Sequence, residues 1–280
     1  MNSIVLWFDL ARRSFRSQSV YRINVLVNLI YSFMSVLINV SVWNALYAQN
    51  VDPAATLSEA ITYSVISSTF LVGMQLWPGS RIGDAVYSGE VGQQMVRPMN
   101  LLAQHAAMEL GEKMFNFFTC ILPCIVAAKI VYNALLFPAT LADVLFFLLS
   151  ALLGNMIFLL LNTILGYTAF WLGNVWYIQW FLTAAMYVFG GEMVPFWFLP
   201  DKLNIITWFM PFRCVLFIPM EMYLGRLSMN QIIFNLCLQV SGFVSFGFKV
   251  WISQRMEFSR ITSDLFFLTV HIRNRFNIYT

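Results

Sequence analysis

The chain has 280 residues, 60% hydrophobic, 17% aromatic and only 10% charged, with a formal net charge of +3. Its mean hydropathy is +0.72, and a typical soluble domain carries about 25% charged residues. An ordinary soluble fold, a disordered chain, a coiled coil and a disulfide-stapled secreted domain are therefore excluded, and no basic block is dense enough to engage nucleic acid.

Residues 4–16 come first. Ile4, Phe8, Ala11 and Phe15 recur at spacings of 4, 3 and 4, while Asp9, Arg12, Arg13 and Arg16 fall elsewhere. This pattern predicts a helix lying on the inner membrane surface; the alternative is a plain basic flank that sets topology. The first 20 residues lack a cleavage pattern after a short apolar core and do not read as a removable signal peptide.

A helix needs roughly 20 apolar residues to cross about 30 Å of hydrocarbon. The charge-free tracts predict an all-α polytopic membrane protein with six spans, at about 23–47, 59–77, 108–132, 142–171, 176–192 and 228–250. Gly173–Asn174 is the turn signal that divides the fourth from the fifth. Runs such as Leu145-Phe146-Phe147-Leu148-Leu149 are apolar on every side and do not alternate as membrane strands do. Six spans put both termini on one side together with twelve of the 16 basic residues, which predicts that this side is cytoplasmic. The division is then a transmembrane domain over 1–252 and a cytoplasmic tail over 253–280.

Two connections stand out. Segment 79–107 mixes charges with apolar residues at near-helical spacing (Ile82, Val86, then Val91, Met95) and is punctuated by glycines. It is either an amphipathic docking element or a solvated loop. Segment 193–227 holds Pro195, Pro200, Pro211 and Pro219 around the runs Trp197-Phe198-Leu199 and Ile205-Ile206-Thr207-Trp208-Phe209-Met210. Each run is too short to span and too apolar for a wet loop, which predicts proline-broken helices re-entering the outer leaflet.

Polar residues within the spans are patterned. At 100° per residue, Asn24, Asn28, Ser32, Ser35 and Asn39 share an arc of about 80°. Asn155, Asn162 and Gly166 align in the fourth span, and Gln231, Asn235, Gln239 and Gly242 in the sixth. Hydrocarbon offers such groups no partners, so these faces are expected to turn inward. They serve either as helix–helix glue or as the lining of a substrate path, a choice left open for the first span and resolved toward glue for the others. Glu192, after Gly190-Gly191, is either a functional carboxylate or one that snorkels to the outer interface.

Enzymatic signatures are missing. The lysines Lys113, Lys129, Lys202 and Lys249 never follow a glycine, so no P-loop exists, and no nucleophile elbow, His-Glu-x-x-His pair or dinucleotide fingerprint occurs. Cys120 and Cys124 lie one turn apart and Cys214 and Cys237 stand alone, with only His105 and His271 as histidines; packing suits them better than a metal.

Three patches carry a resemblance. They are Tyr21-Arg22 with Trp43; Arg81-Ile82, Ser88-Gly89-Glu90 and Arg97-Pro98; and Gly191-Glu192-Met193-Val194-Pro195 followed by Leu199-Pro200, Pro211-Phe212, Pro219 and Gly225. Over roughly residues 5–250 the sequence resembles the membrane-spanning permease of bacterial type-2 ABC exporters, in the branch of roughly 260 residues. The tail departs from that pattern with Leu265-Phe266-Phe267-Leu268.

The resemblance implies a non-catalytic transport subunit of the bacterial inner membrane, with the type V exporter architecture of six spans, an interfacial helix, a coupling helix and re-entrant helices. It implies a second permease, identical or related, and a pair of separate ABC ATPase subunits that hold ATP and Mg; no cofactor is expected in this chain. Arg81, Ile82, Gly89, Glu90, Arg97 and Pro98 are then the coupling residues. Asn24, Asn28, Ser32, Ser35 and Asn39 line the substrate path or the permease interface, and Gly191, Glu192, Pro195, Pro200 and Pro211 form the outer gate. A stand-alone secondary transporter or channel is the alternative, with a membrane-embedded enzyme behind it. The substrate is not legible.

Overall fold

Helices make up every regular element among the described residues of the computed structural model, which are 3–20, 22–48, 54–74, 78–95, 99–132, 135–173 and 175–276. The chain opens with α1 (Ser3–Gln18), α2 (Arg22–Tyr47), α3 (Leu57–Met74), α4 (Pro78–Ser88) and α5 (Val91–Met95). Next, α6 (Leu101–Asn116) runs through a π turn at Phe117–Ile121 into α7 (Leu122–Tyr132), followed by α8 (Leu141–Tyr167), α9 (Ala169–Leu172) and α10 (Trp176–Phe189). A 3₁₀ turn at Phe196–Phe198 leads to α11 (Asp201–Trp208), α12 (Phe212–Val215), α13 (Phe217–Tyr223) and α14 (Met229–Phe276).

Four stretches are long and apolar enough to cross a membrane: Ile23–Tyr47, Leu101–Ile130, Leu141–Leu172 and Met229–Met256. A fifth exists if α11 and the α12–α13 pair, bent by 81°, count as one broken span. The two remaining expected spans fall on α3, with 18 residues, and α10, with 14, neither of which is among those stretches. Gly173 ends α9 with φ of 72°, where the break between fourth and fifth spans is expected. The backbone does not break at the expected tail, because α14 continues through residue 253 to Phe276.

Three helix starts use the same local device. Thr56 and Glu59 at α3, Thr140 and Asp143 at α8, and Ser228 and Gln231 at α14 are each three residues apart. In all three the acidic or amide side chain accepts the cap residue's N–H, at 2.7, 3.0 and 2.9 Å. At α3 and α8 the cap hydroxyl also accepts the N–H of Glu59 and Asp143 in return, at 3.3 and 3.2 Å. Orphan donors at a helix start are thereby satisfied without a neighbouring element.

The core is built around α3. Every residue from Ala60 to Thr69 is buried, including Thr62, Ser64, Ser67, Ser68 and Thr69. These hydroxyls keep to their own surroundings: Ser68 and Thr69 donate to the carbonyls of Ser64 and Val65 at 2.7 and 2.6 Å. Thr62 accepts the Leu136 N–H at 2.9 Å, and the Trp43 indole N–H donates to Ser64. A helix polar on several sides is thus covered by α2, α7 and the outer segments without stranded donors.

On the polar face of the sixth span Gln239 acts as glue between helices, whereas Asn162 of the fourth bonds within its own helix. Gln239, fully buried on α14, donates to the carbonyls of Ser150 on α8 and Cys214 on α12, at 3.1 and 2.7 Å. Asn162 is buried and donates to Phe158 O at 3.0 Å. Gly154 lets α8 approach α12 so closely that a Cβ there would lie 2.8 Å from the carbonyl oxygens of Cys214 and Val215.

Candidate functional site

At one end of the bundle, α4 has a buried root and an exposed tip. Ile82 and Ala85 are buried, and Ile82 belongs to a cluster with Leu101, Leu160, Tyr167 and Val250. Gly83 is pressed against Val175, so α4 is seated on the junction of α8, α9 and α10. Tyr87, Gly89, Glu90, Gly92 and Gln93 are exposed, with Tyr87 81% accessible. Gly89, at φ of 79°, makes the turn into α5. Arg97 and Pro98 lie outside the described residues.

Arg81 turns the other way. Its guanidinium pairs with Glu112 on α6, and the second Glu112 oxygen accepts from Ser14 Oγ on α1 at 3.0 Å. One residue on, Lys113 pairs with Glu109 and donates to Asn155 Oδ1 on α8. Glu109 and Glu112 are both buried. Sequence reasoning missed this cluster, since it did not connect Arg81 and Asn155 with Glu109, Glu112 and Lys113. The signal was there: His105, Glu109 and Glu112 step by 4 and 3 along one helix face.

Helix α1 has three sides. Leu10 and Ser14 are buried on α6, where Gly111 lies so close that a Cβ would meet Ala11 O at 2.1 Å, and Phe15 stacks edge-on against Phe115 at 5.4 Å. Ile4, Val5 and Phe8 form an uncovered apolar side, and Arg12, Arg13 and Arg16 an exposed basic one. That division suits a helix held by protein, lipid tails and headgroups at once.

The stripe on α2 does not turn into the chain's own bundle. Asn24 and Asn28 are exposed, Ser35 and Asn39 half-buried, and only Ser32 is buried. The bundle-facing side is taken instead by Ser32, Val36, Val40 and Trp43. Ser32 and Asn39 satisfy themselves on the carbonyls of Asn28 and Ser35, at 2.8 and 3.0 Å. Tyr31, on the same side, lies with its hydroxyl 3.4 Å from that of Tyr187 on α10.

The proline-rich segment after α10 is aromatic. Gly191, at φ of 84°, accepts the Tyr63 hydroxyl on its carbonyl at 2.7 Å. Pro195, Pro200 and Pro211 open the 3₁₀ turn, α11 and α12 in turn. Arg213 is buried with its guanidinium 4.0 Å from the Trp208 ring centre and 4.8 Å from that of Phe217, donating to Asn204 Oδ1 and Thr207 Oγ1 at 2.8 Å each. Glu192 is buried rather than snorkelling. A cavity of about 260 Å³ between α2 and this region is lined by Asn39, Trp43, Tyr47, Met193 and Phe198 among others.

Among the described residues no group of histidines, cysteines and carboxylates is disposed to hold a metal ion. The sequence matches the family described as ABC-2 family transporter protein over residues 55–255, more than two thirds of the chain. Compared with the curated proteins, it matches none.

Proposed function

Because the chain belongs to the ABC-2 family of transporter proteins, and so is an ABC-2 type membrane permease, we propose that it serves an ATP-driven exporter and that ATP and Mg are held by a separate pair of ATPase subunits. The observation that carries this reading is α4. Its root is buried in the bundle, while the turn at Tyr87–Gln93 stands free with the charged Glu90 at its rim. A rigid root with an exposed charged tip suits insertion into a partner's groove, where rim charges fix register. Glu90, Arg97 and Pro98 belong to this docking element, whereas Arg81 and Ile82 serve it from behind.

A second permease copy fits the α2 face. The half-polar arc of Asn24, Asn28, Ser35 and Asn39 is poorly suited to lipid and adjoins Tyr31 and Tyr187. Two such faces opposed across an axis give a polar path, and the outer residues Gly191, Glu192, Pro195, Pro200 and Pro211 close it. Six spans follow if α3, about 27 Å long at 1.5 Å per residue, crosses as the central helix and α10 is completed by the segment after it. Both termini are then cytoplasmic, and the membrane is the bacterial inner membrane.

The test is copurification and turnover. The chain alone is expected to hydrolyse no ATP, and the complex with its ATPase to hydrolyse ATP and move substrate. Glu90→Ala is expected to lower export at least tenfold with assembly intact. Substrate flux through the permease alone, driven by an ion gradient, would establish the secondary transporter instead.

A further inference from the structure

Glu112 is a side chain on which three helices converge. It sits on α6 with 4% of its surface accessible, and its two oxygens serve different elements. One takes Arg81 from α4, 31 residues away in sequence, and the other takes Ser14 Oγ from α1, 98 residues away. The backbones reach this point by different routes: α1 packs on α6, whereas α4 packs chiefly on α8, α9 and α10. Beside the packing of Ile82 with Leu101, the link from α4 to the α1–α6 pair runs through the Arg81 guanidinium. Lys113, the next residue, bonds Asn155 on α8, beside Gly154, where α8 meets α12.

We propose that Glu112 is a positioning residue that joins the coupling helix α4 to the membrane-surface helix α1 and to α6. Movement of α4 thereby displaces the bundle instead of being lost as local flexing. The proposal rests on α4 being the coupling element. It adds that the surface helix is part of the transmission, held in the membrane plane by its apolar side while the ion pair pulls on its neighbour. A buried carboxylate exposed to one broken partner is strongly disfavoured, so the joint stays closed through a stroke and transmits force. Other routes of coupling through packed helices exist. The ion pair is singled out because its two members can be exchanged and tested.

The experiment has two arms. In proteoliposomes with the assembled complex, Arg81→Glu is expected to lower export per ATP hydrolysed at least tenfold while assembly and ATP hydrolysis stay within twofold. The exchange Arg81→Glu with Glu112→Arg is expected to restore export per ATP to within threefold of the original. Where the reversed charge prevents insertion, Arg81→Met supplies the same comparison. Unchanged export per ATP in the single variants would overturn the proposal, as would an exchange that restores nothing. The second arm needs no ATPase. In the permease alone, with native cysteines replaced, spin labels at Arg16 and Tyr87 are expected to give one narrow distance that Arg81→Glu broadens and the exchange narrows again. A distance indifferent to these changes would refute the joint. A narrow, exchange-sensitive distance in a permease that recruits no ATPase would instead refute the proposed function and leave the joint standing.

Discussion

Glu192 and Arg213 have side chains that water would normally claim, yet both are buried in the proline-rich segment after α10. Arg213 is accommodated because a flat guanidinium can lie against Trp208 and Phe217 while its edge donates to Asn204 and Thr207. Glu192 is accommodated by the cover of its own chain, which leaves 8% of its surface accessible. Glu192→Gln keeps the shape and removes a charge that is costly to bury, so it is expected to leave unchanged or raise the melting temperature of the detergent-solubilised protein. A melting temperature lowered by the substitution would show that the carboxylate holds a partner.

At the scale of elements, close backbone approach is what locks the outer segment to the bundle. A methyl at Gly154 would stand 2.8 Å from two carbonyl oxygens of α12, and backbone cannot step aside as a flexible side chain can. Gly154→Ala is expected to cost about 1–3 kcal/mol by forcing α8 and α12 apart. Gly242 on α14 is the control. A Cβ there meets only Ile157 Cδ1 at 3.5 Å, an ordinary contact, so Gly242→Ala is expected to change stability by less than about 0.5 kcal/mol. Comparing the two melting temperatures in one detergent checks both. The same contrast explains why the prolines at 195, 200 and 211 suit this region: each opens a short helix, where its missing N–H leaves no bond unmade.

For the whole molecule, orientation is the property with the widest consequences. The three starts with Ser/Thr followed three residues later by Glu, Asp or Gln, at Thr56, Thr140 and Ser228, belong to α3, α8 and α14. In a six-span chain with cytoplasmic termini these are the helices that begin outside. The basic residues point the same way, with Arg12, Arg13 and Arg16 on α1. In intact cells, a cysteine introduced at the exposed Lys202 is expected to label with an impermeant thiol reagent and one at the exposed Ser17 to remain unlabelled. The opposite pattern would invert the molecule and place α4 outside, beyond the reach of any cytoplasmic ATPase.

Composition and spacing alone determined a good deal. A chain with 10% charge and long neutral tracts has only helices to offer a bilayer. The tracts accordingly foretold α2, the α6–α7 helix, α8 and the first part of α14 to within a few residues, apart from the earlier start of α6. The 4–3–4 spacing at Ile4–Phe15 marked α1, and Gly173 marked the break after α9. These features are local or one-dimensional, which is why they were legible. Tertiary structure decided what depends on pairing across distance. Nothing in the periodicity of residues 60–69 says that a hydroxyl-rich helix becomes the centre of the bundle, because its Ser and Thr side chains are satisfied by its own carbonyls only once the helix forms. The α2 stripe was legible as a polar arc, but its direction was not, since Val36, Val40 and Trp43 claim the inner side only when α3 is in place. By sequence, Arg81 stood only among the coupling residues that the resemblance implies. It became an internal tie because Arg81 and Ser14, 31 and 98 residues from Glu112 in sequence, meet that carboxylate only when three helices pack, and a buried carboxylate takes whichever donors the fold brings to it.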